Sequence, residues 1–222
     1  MRRDLLIVGF VIVLGTGCGG AATPPSTPAA PPQATSPAPR IVQPGAPGEA
    51  SRVITGATAP IPKFTAADVA FMQGMIGHHA QAIEMVALLK TRTARQDMQM
   101  LGLRIEVSQR DEIQMMQDWL RARGQTVPDE HAHHMHDAKL MPGMLSPDQM
   151  KKLEGAKGAE FDKLFLEYMI QHHGGALTMV KDLMASPGAA QESQIFAFAA
   201  DVEADQAAEI TRMRALRASM GK

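Results

Sequence analysis

Cysteine is almost absent from this sequence, since Cys18 is the only one among 222 residues. A single cysteine excludes an internal disulfide, and without a Cys-x-x-Cys-His run there is no covalent haem site. Aromatic residues are also scarce, with one Trp and one Tyr. The formal net charge is −1, so the chain does not have the excess of basic residues that is typical of nucleic-acid-binding proteins. These absences exclude nucleic acid as an expected partner and leave histidine and methionine to carry any chemistry.

The apolar run at residues 5–14 is too short for a comfortable transmembrane helix. It follows Arg2 and Arg3 and precedes small residues, an order typical of a secretory signal over residues 1–17. The small residue before Cys18 resembles a bacterial lipobox, in which the cysteine becomes the lipidated N-terminus. We therefore expect an exported protein, lipid-anchored to a bacterial membrane and facing the periplasm or the cell exterior. Secretion without a lipid is the alternative.

Proline is concentrated after the signal. Eleven of the fifteen prolines lie in residues 19–62, among Ala, Thr, Ser and Gly. Such a composition cannot form a core, so residues 18–62 are predicted to be a disordered tether that begins with the lipidated cysteine. Residues 63–222 are enough for one domain with its own hydrophobic core.

Within this domain, apolar residues recur at helical spacing and predict four long helices, at about 65–91, 94–123, 159–185 and 189–219. Thr65 and Asp68 form a capping-box-like start, and Gly124 is a plausible end of the second helix. Ser146 and Pro147 predict a short helix between the second and third long ones. No convincing alternating strand pattern is present. The predicted fold class is therefore all-α.

The domain contains an internal repeat. The segment MIGHHAQAIEMV, which begins at Met75, is matched by MIQHHGGALTMV, which begins 94 residues later at Met169. The second helix of each half also repeats, with Glu106 matching Glu203 and Glu112 matching Glu209. Two copies of a helical hairpin, at about 65–123 and 159–219, are expected to pack face to face. We predict a pseudo-symmetric, ferritin-like four-helix bundle with a long His/Met-rich connection.

Both histidines of each pair lie on or beside an apolar face, where a buried imidazole needs a partner. Glu106 and Glu203 lie on the stripes of the second helices and are the predicted partners. Methionines precede and follow each histidine pair at helical spacing. The connection adds four of the eight histidines within six residues, a tract typical of metal binding. The candidate metal ligands share these two settings: Met75, His78, His79, Met85, Met169, His172, His173 and Met179 on the helices, and His131, His133, His134, His136, Met141 and Met144 in the connection.

Several interpretations of these residues remain open. The histidines could form buried hydrogen bonds in a structural module, with methionine as core filler. They could instead bind a metal ion, and thioether with imidazole suits copper, whereas imidazole alone also accepts zinc. A carboxylate di-iron centre requires Glu-x-x-His pairs, which the predicted helices do not contain. Non-covalent haem held by Met and His is a further alternative.

The His-His helices, the MPGM segment at 141–144 and the run FDKLFLEYMIQHHGGAL at 161–177 resemble the domain of unknown function 305 family. The resemblance covers about residues 63–220. It implies a ferritin-like fold, and some members of the family are CopM-like, exported copper-binding proteins. It also implies that the histidines and methionines named above are possible ligands.

We therefore expect a protein that binds copper, as Cu(I), Cu(II) or both, and that could also bind silver. It would sequester the ion outside the cytoplasm or transfer it to a partner protein. No catalytic role is expected, and a copper-dependent oxidase is the enzymatic alternative. The alternative from another class is a structural or interaction module with buried His–Glu hydrogen bonds and no metal.

Overall fold

The computed structural model describes residues 41–54, 63–129 and 140–221. Cys18 and the histidines at 131, 133, 134 and 136 lie outside the described residues, so the lipid anchor and the histidine tract stay predictions. The chain divides into two compact units, Met1–Ala59 and Pro60–Lys222. None of the helices in the described ranges has the length and apolar character needed to cross a bilayer.

The first unit contains a short antiparallel hairpin. Strand β1 (Ile41–Gln43) pairs with β2 (Arg52–Ile54), and Val42 lies opposite Val53. The expectation that the chain has no strand is wrong here. Strands of three residues are too short to show the alternation by which a strand is recognised in a sequence.

The second unit is helical throughout its described regular structure, as predicted. Helix α1 spans Ala66–Arg92, α2 Gln96–Ala122, α3 Pro147–Gly155, α4 Gly158–Ala185 and α5 Ser193–Ser219. Helix α1 packs along α2, α4 packs along α5, and α1 also contacts α4. The short helix α3 contacts α1 and α4. The two repeats therefore form two helical hairpins that meet through α1 and α4, which confirms the predicted four-helix bundle.

Side-chain caps fix where the helices begin. Thr65 and Asp68 form the predicted capping box at the start of α1. The other carboxylate oxygen of Asp68 accepts the backbone N–H of Ala190 at 2.7 Å, which ties α1 to the turn between α4 and α5. Helix α5 begins at Ser193 rather than at the predicted 189, because Gly188 and Ala190 have positive φ values of 76° and 54°. A left-handed backbone cannot continue a right-handed helix.

The hydrophobic core is divided into two parts along the bundle. One part contains the first turns of α1 and the end of α4, including Met72, Met75 and Val180. The other contains the end of α1 and the start of α4, including Met85 and Phe165. Each part receives apolar residues from all four long helices. A layer of buried polar side chains lies between the two parts in sequence on every long helix: His78, His79, Gln109, Glu112, His172, His173, Gln206 and Glu209.

Candidate functional site

Four buried imidazole rings form a row through the polar layer. The rings of His78 and His172, from α1 and α4, lie with their centroids 3.8 Å apart. His79 lies 6.2 Å from His78, and His173 lies 6.2 Å from His172. All four histidines have at most 1% of their surface exposed. The repeated sequence therefore produces one continuous row in which the two central rings come from different repeats.

A glutamate lies at each end of the row. Nε2 of His79 is 2.5 Å from a carboxylate oxygen of Glu112 on α2. Nε2 of His173 is 2.6 Å from a carboxylate oxygen of Glu209 on α5. These bonds are the interhelical His–Glu pairs that a buried imidazole requires, but the glutamates differ from those predicted.

The prediction that Glu106 and Glu203 are the partners is wrong. Glu106 accepts hydrogen bonds from Arg110 on its own helix, and Glu203 is exposed. The buried face of α2 passes through Ile105, Gln109 and Glu112, spaced by four and then three residues. Because successive residues of a helix are about 100° apart, a residue adjacent to Ile105 points away from that face. The sequence does contain a signal for the right glutamates, because the spacing of four and then three residues that leads to Glu112 recurs in the second repeat and leads to Glu209.

A turn over residues 141–144 is seated between α1 and α4 beside the central rings. The Nε2–H of His78 donates to the carbonyl of Pro142 at 3.0 Å. A Cβ atom on Gly175 would lie 1.9 Å from that carbonyl oxygen, so this contact requires glycine. Gln171 donates to the carbonyl of Gly143 at 3.2 Å. The MPGM segment is thus held by backbone contact with α4 and by the His78 ring of α1.

Leu145, which follows the turn, is fixed by one side-chain amide. Its N–H donates to Gln81 at 2.7 Å, and its carbonyl accepts from the same amide at 3.0 Å. Gln81 has only 3% of its surface exposed. These two hydrogen bonds fix the position of the turn along α1.

The predicted methionine ligands fall into two groups. Met75, Met85 and Met169 are completely buried, and Met144 is 5% exposed, so these side chains are part of the packed interior. Met141 and Met179 are partly exposed and converge on Gly74, which lies one turn before His78. A Cβ atom on Gly74 would be 2.9 Å from the sulfur of Met141 and 3.5 Å from the terminal methyl carbon of Met179. The structure therefore brings two thioether side chains together beside the histidine row.

His172 differs from the other three histidines. Within the part of the chain that the structure describes, neither of its ring nitrogens makes a hydrogen bond of normal geometry. Burial lowers the pKa of His172 well below its ordinary value of 6.5, the nearby His78, His173 and His79 lower it further, and the backbone of His78 acts weakly in the opposite direction. The ring is therefore neutral near pH 7 and carries a nitrogen lone pair inside the protein.

Outside the row, α2 and α5 border an acidic groove of about 310 Å³ whose lining includes Glu112, Asp201 and Asp205. Partial burial raises the pKa of Asp205, and the carboxylates of Glu112, Glu209 and Asp201 raise it further. Across residues 41–54, 63–129 and 140–221, no three His, Cys, Asp or Glu side chains are grouped so as to hold a metal ion.

Comparison with known proteins identifies the family to which this chain belongs. The model of the family described as Domain of unknown function (DUF305) matches residues 68–217. No curated protein matches the chain.

Three solved structures illustrate the similarity. A DUF305 protein from Streptomyces coelicolor is 28% identical with a TM-score of 0.61, over 70% of this chain and 94% of that one. A DUF305 fragment from Deinococcus radiodurans is also 28% identical with a TM-score of 0.61, over 71% of this chain and 99% of that one. CopM in the Cu(II)-bound form is 25% identical with a TM-score of 0.57, over 68% of this chain and 96% of that one.

Proposed function

Because the chain belongs to the DUF305 family, and because its bundle buries four histidines beside two methionines, we propose that it binds copper outside the cytoplasm. Histidine and methionine would be the ligands, and the role would be to sequester the ion or to transfer it to another protein. The proposal includes no catalytic step.

The observation that carries the proposal is the environment of His172. A buried polar group usually has a hydrogen-bond partner, and leaving one unsatisfied costs about 1–3 kcal/mol. Neither ring nitrogen of His172 makes a hydrogen bond of normal geometry among the described residues. A neutral imidazole is also the form that binds a metal ion. The His172 ring lies 3.8 Å, centroid to centroid, from the ring of His78, and His78 lies one turn from the two methionines at Gly74.

The type of donor supports a soft ion. The described residues contain no group of three or more His, Cys, Asp or Glu side chains, whereas zinc sites usually use three or four such ligands. Imidazole together with the thioethers of Met141 and Met179 suits Cu(I), and by the same softness Ag(I), whereas imidazole also accepts Cu(II). The similarity to CopM in its Cu(II)-bound form supports the same choice of metal.

The proposal also includes export of the protein and the first capture of the ion. The signal-like residues 1–17 and Cys18 support export with a lipid anchor, and the Streptomyces coelicolor relative is itself predicted to be secreted. The histidine tract at 131–136 would capture the ion first and deliver it to the bundle, because it directly precedes the turn at 141–144.

The test is a titration of the purified protein with Cu(I), under anaerobic conditions and against a competing chelator. Replacing Met141 or Met179 with Leu keeps the volume but removes the sulfur, and should weaken Cu(I) binding by at least about tenfold, or about 1.4 kcal/mol. Met100→Leu and Met115→Leu are matched controls, because these methionines on α2 are more than half exposed, at 53% and 51%. Equal Cu(I) affinities in all four variants would show that the thioethers of Met141 and Met179 are not ligands.

A second set of variants separates the bundle from the tract. His172→Ala should reduce the amount of copper bound, with an unchanged helical circular dichroism spectrum. A protein with Ala at the four tract histidines should bind copper more slowly but keep the bundle site. Loss of all binding in the tract variant alone would assign copper to the connection and contradict the role proposed for His172.

A structural or interaction module is the second candidate function. It is favoured by the hydrogen bonds that His78, His79 and His173 make inside the protein. Absence of tight copper binding by the unaltered protein would select this candidate. Oxygen uptake in the presence of Cu(I) would instead indicate an oxidase.

A further inference from the structure

The histidine row ends in two carboxylates, and their role follows from which ring nitrogen they occupy. We propose that Glu112 and Glu209 are positioning residues that fix the tautomers of His79 and His173 and thereby make Nδ1 of each ring the atom available to copper. This inference rests on the proposed function, since it names the residues that prepare that site for its ion.

The two pairs have nearly the same geometry. Nε2 of His79 lies 2.5 Å from Glu112, and Nε2 of His173 lies 2.6 Å from Glu209. Both histidine side chains are 0% exposed, and the glutamate side chains are 11% and 5% exposed. Such short contacts between shielded groups are strong, charge-assisted hydrogen bonds. The same pairing occurs in both repeats, so it is a feature of the bundle rather than of one local packing arrangement.

The hydrogen bond decides where the proton lies. A carboxylate only accepts, so Nε2 of each imidazole carries the hydrogen that it donates. Nδ1 of His79 and Nδ1 of His173 are both buried and have no hydrogen-bond partner among the residues described. With Nε2 carrying the donated hydrogen, Nδ1 is the ring nitrogen left for a metal ion.

A neutral imidazole whose N–H is held by a carboxylate is the arrangement that orients histidine ligands in metal proteins. The carboxylate fixes the ring and increases the basicity of the nitrogen that faces the ion, and loss of such a partner typically reduces metal affinity about 10–100-fold. Glu112 also borders the acidic groove between α2 and α5, together with Asp201 and Asp205. The negative charge of this groove attracts a cation toward the end of the row.

The first experiment measures the tautomers in the metal-free protein by 15N NMR of the histidine rings. In the unaltered protein, His79 and His173 should both show the form protonated at Nε2. Glu112→Gln and Glu209→Gln replace an acceptor by an amide that can donate or accept, so the adjacent ring should shift toward the form protonated at Nδ1. Glu106→Gln and Glu203→Gln are matched controls on the same helices, and both should leave the ring signals unchanged.

The second experiment measures Cu(I) affinity in the same variants by competition with a chelator. Glu112→Gln and Glu209→Gln should each weaken binding about 10–100-fold, with an unchanged circular dichroism spectrum, while the two controls keep the affinity of the unaltered protein. A purely structural glutamate would change the unfolding midpoint but not the affinity of the folded protein.

The two experiments separate the possible failures. If the unaltered protein binds no copper, the proposed function is wrong, and the ring signals still decide whether the glutamates fix the tautomers. If copper binds and is lost on replacing His79 and His173, but both Glu→Gln variants keep full affinity, the positioning role is overturned. Signals from Nδ1-protonated or doubly protonated rings in the unaltered protein would overturn it as well.

Discussion

Gly174 and Gly175 are adjacent in α4 but meet very different surroundings, and this difference gives a sharp test of the seat of the turn over residues 141–144. A Cβ atom added at Gly174 meets nothing within 4 Å, whereas one added at Gly175 would lie 1.9 Å from the carbonyl oxygen and 2.4 Å from the carbonyl carbon of Pro142. Backbone atoms cannot move aside as a flexible side chain can. We therefore predict that Gly175→Ala displaces the turn and that Gly174→Ala does not.

The magnitude follows from the bonds that hold the turn. Displacement breaks at least the bonds from His78 to Pro142 and from Gln171 to Gly143, and at most also the two between Gln81 and Leu145. At about 1 kcal/mol each, the loss is about 2–4 kcal/mol. Alanine in place of glycine stabilises a helix by about 1 kcal/mol. Gly174→Ala should thus be up to about 1 kcal/mol more stable than the unaltered protein, and Gly175→Ala about 1–3 kcal/mol less stable.

Urea unfolding followed by circular dichroism measures this difference between the two variants, which should be about 2–4 kcal/mol. Hydrogen exchange gives a local check, because the amide of Leu145 is protected only while it donates to Gln81. That amide should exchange faster in Gly175→Ala than in Gly174→Ala. Equal stability and equal protection in the two variants would show that the turn is not seated on α4 as described.

Three further predictions concern buried or crowded charges in the metal-free protein. The folded-state pKa of His172 lies below its unfolded value, so the unfolded chain binds more protons below about pH 6.5 and stability is lost as the pH falls. His172→Phe should reduce that slope by up to about 1.4 kcal/mol per pH unit in urea unfolding, and an unchanged slope would contradict the burial of the ring. The raised pKa of Asp205 means that its charge is unfavourable in the folded state, so Asp205→Asn should raise Tm slightly at pH 7.5. At pH 3 the carboxyl is protonated in both the folded and the unfolded state, so the substitution should leave Tm unchanged there. A lower Tm at pH 7.5 would refute this prediction. Asp68 is fully buried and accepts the N–H groups of Thr65 and Ala190, so Asp68→Ala should cost about 2–4 kcal/mol by the same unfolding assay, and a cost below about 1 kcal/mol would show that these bonds contribute little.

Helix positions could be predicted from the sequence because local signals agreed with the hydrophobic pattern. Thr65 with Asp68, and Ser146 with Gln149, form the capping boxes that begin α1 and α3. The start of α5 was displaced because the left-handed backbone at Ala190 is set by its bond to Asp68, 122 residues away. A contact of that range leaves no signal in the neighbouring sequence.

The candidate site could be predicted only in part. The internal repeat identified the paired histidines, because each half contains a His-His pair at the same distance from a methionine. The choice between Glu106 and Glu112 required the exact direction of the buried face of α2, and an error of one position rotates a helical residue by about 100°. The approach of Pro142 to Gly175 depends on how the connection returns to the bundle, which periodicity does not encode. Whether these residues hold copper stays a prediction.

The helical hairpin occurs twice in this chain, but the MPGM turn occurs once, and it lies beside the point where the two repeats meet. Gln81 and Gly175 occupy equivalent positions in the repeats, but Gln81 binds Leu145, which follows the turn, whereas Gly175 contacts Pro142 within it. The two copies of the hairpin therefore have unlike surroundings where they meet. His78 is tied to the carbonyl of Pro142, whereas its counterpart His172 is not. Under the proposed function, an ion bound at the row would meet two unlike halves, so successive ions would bind with unequal affinities, and exchanging the order of the two repeats in the chain would change the site.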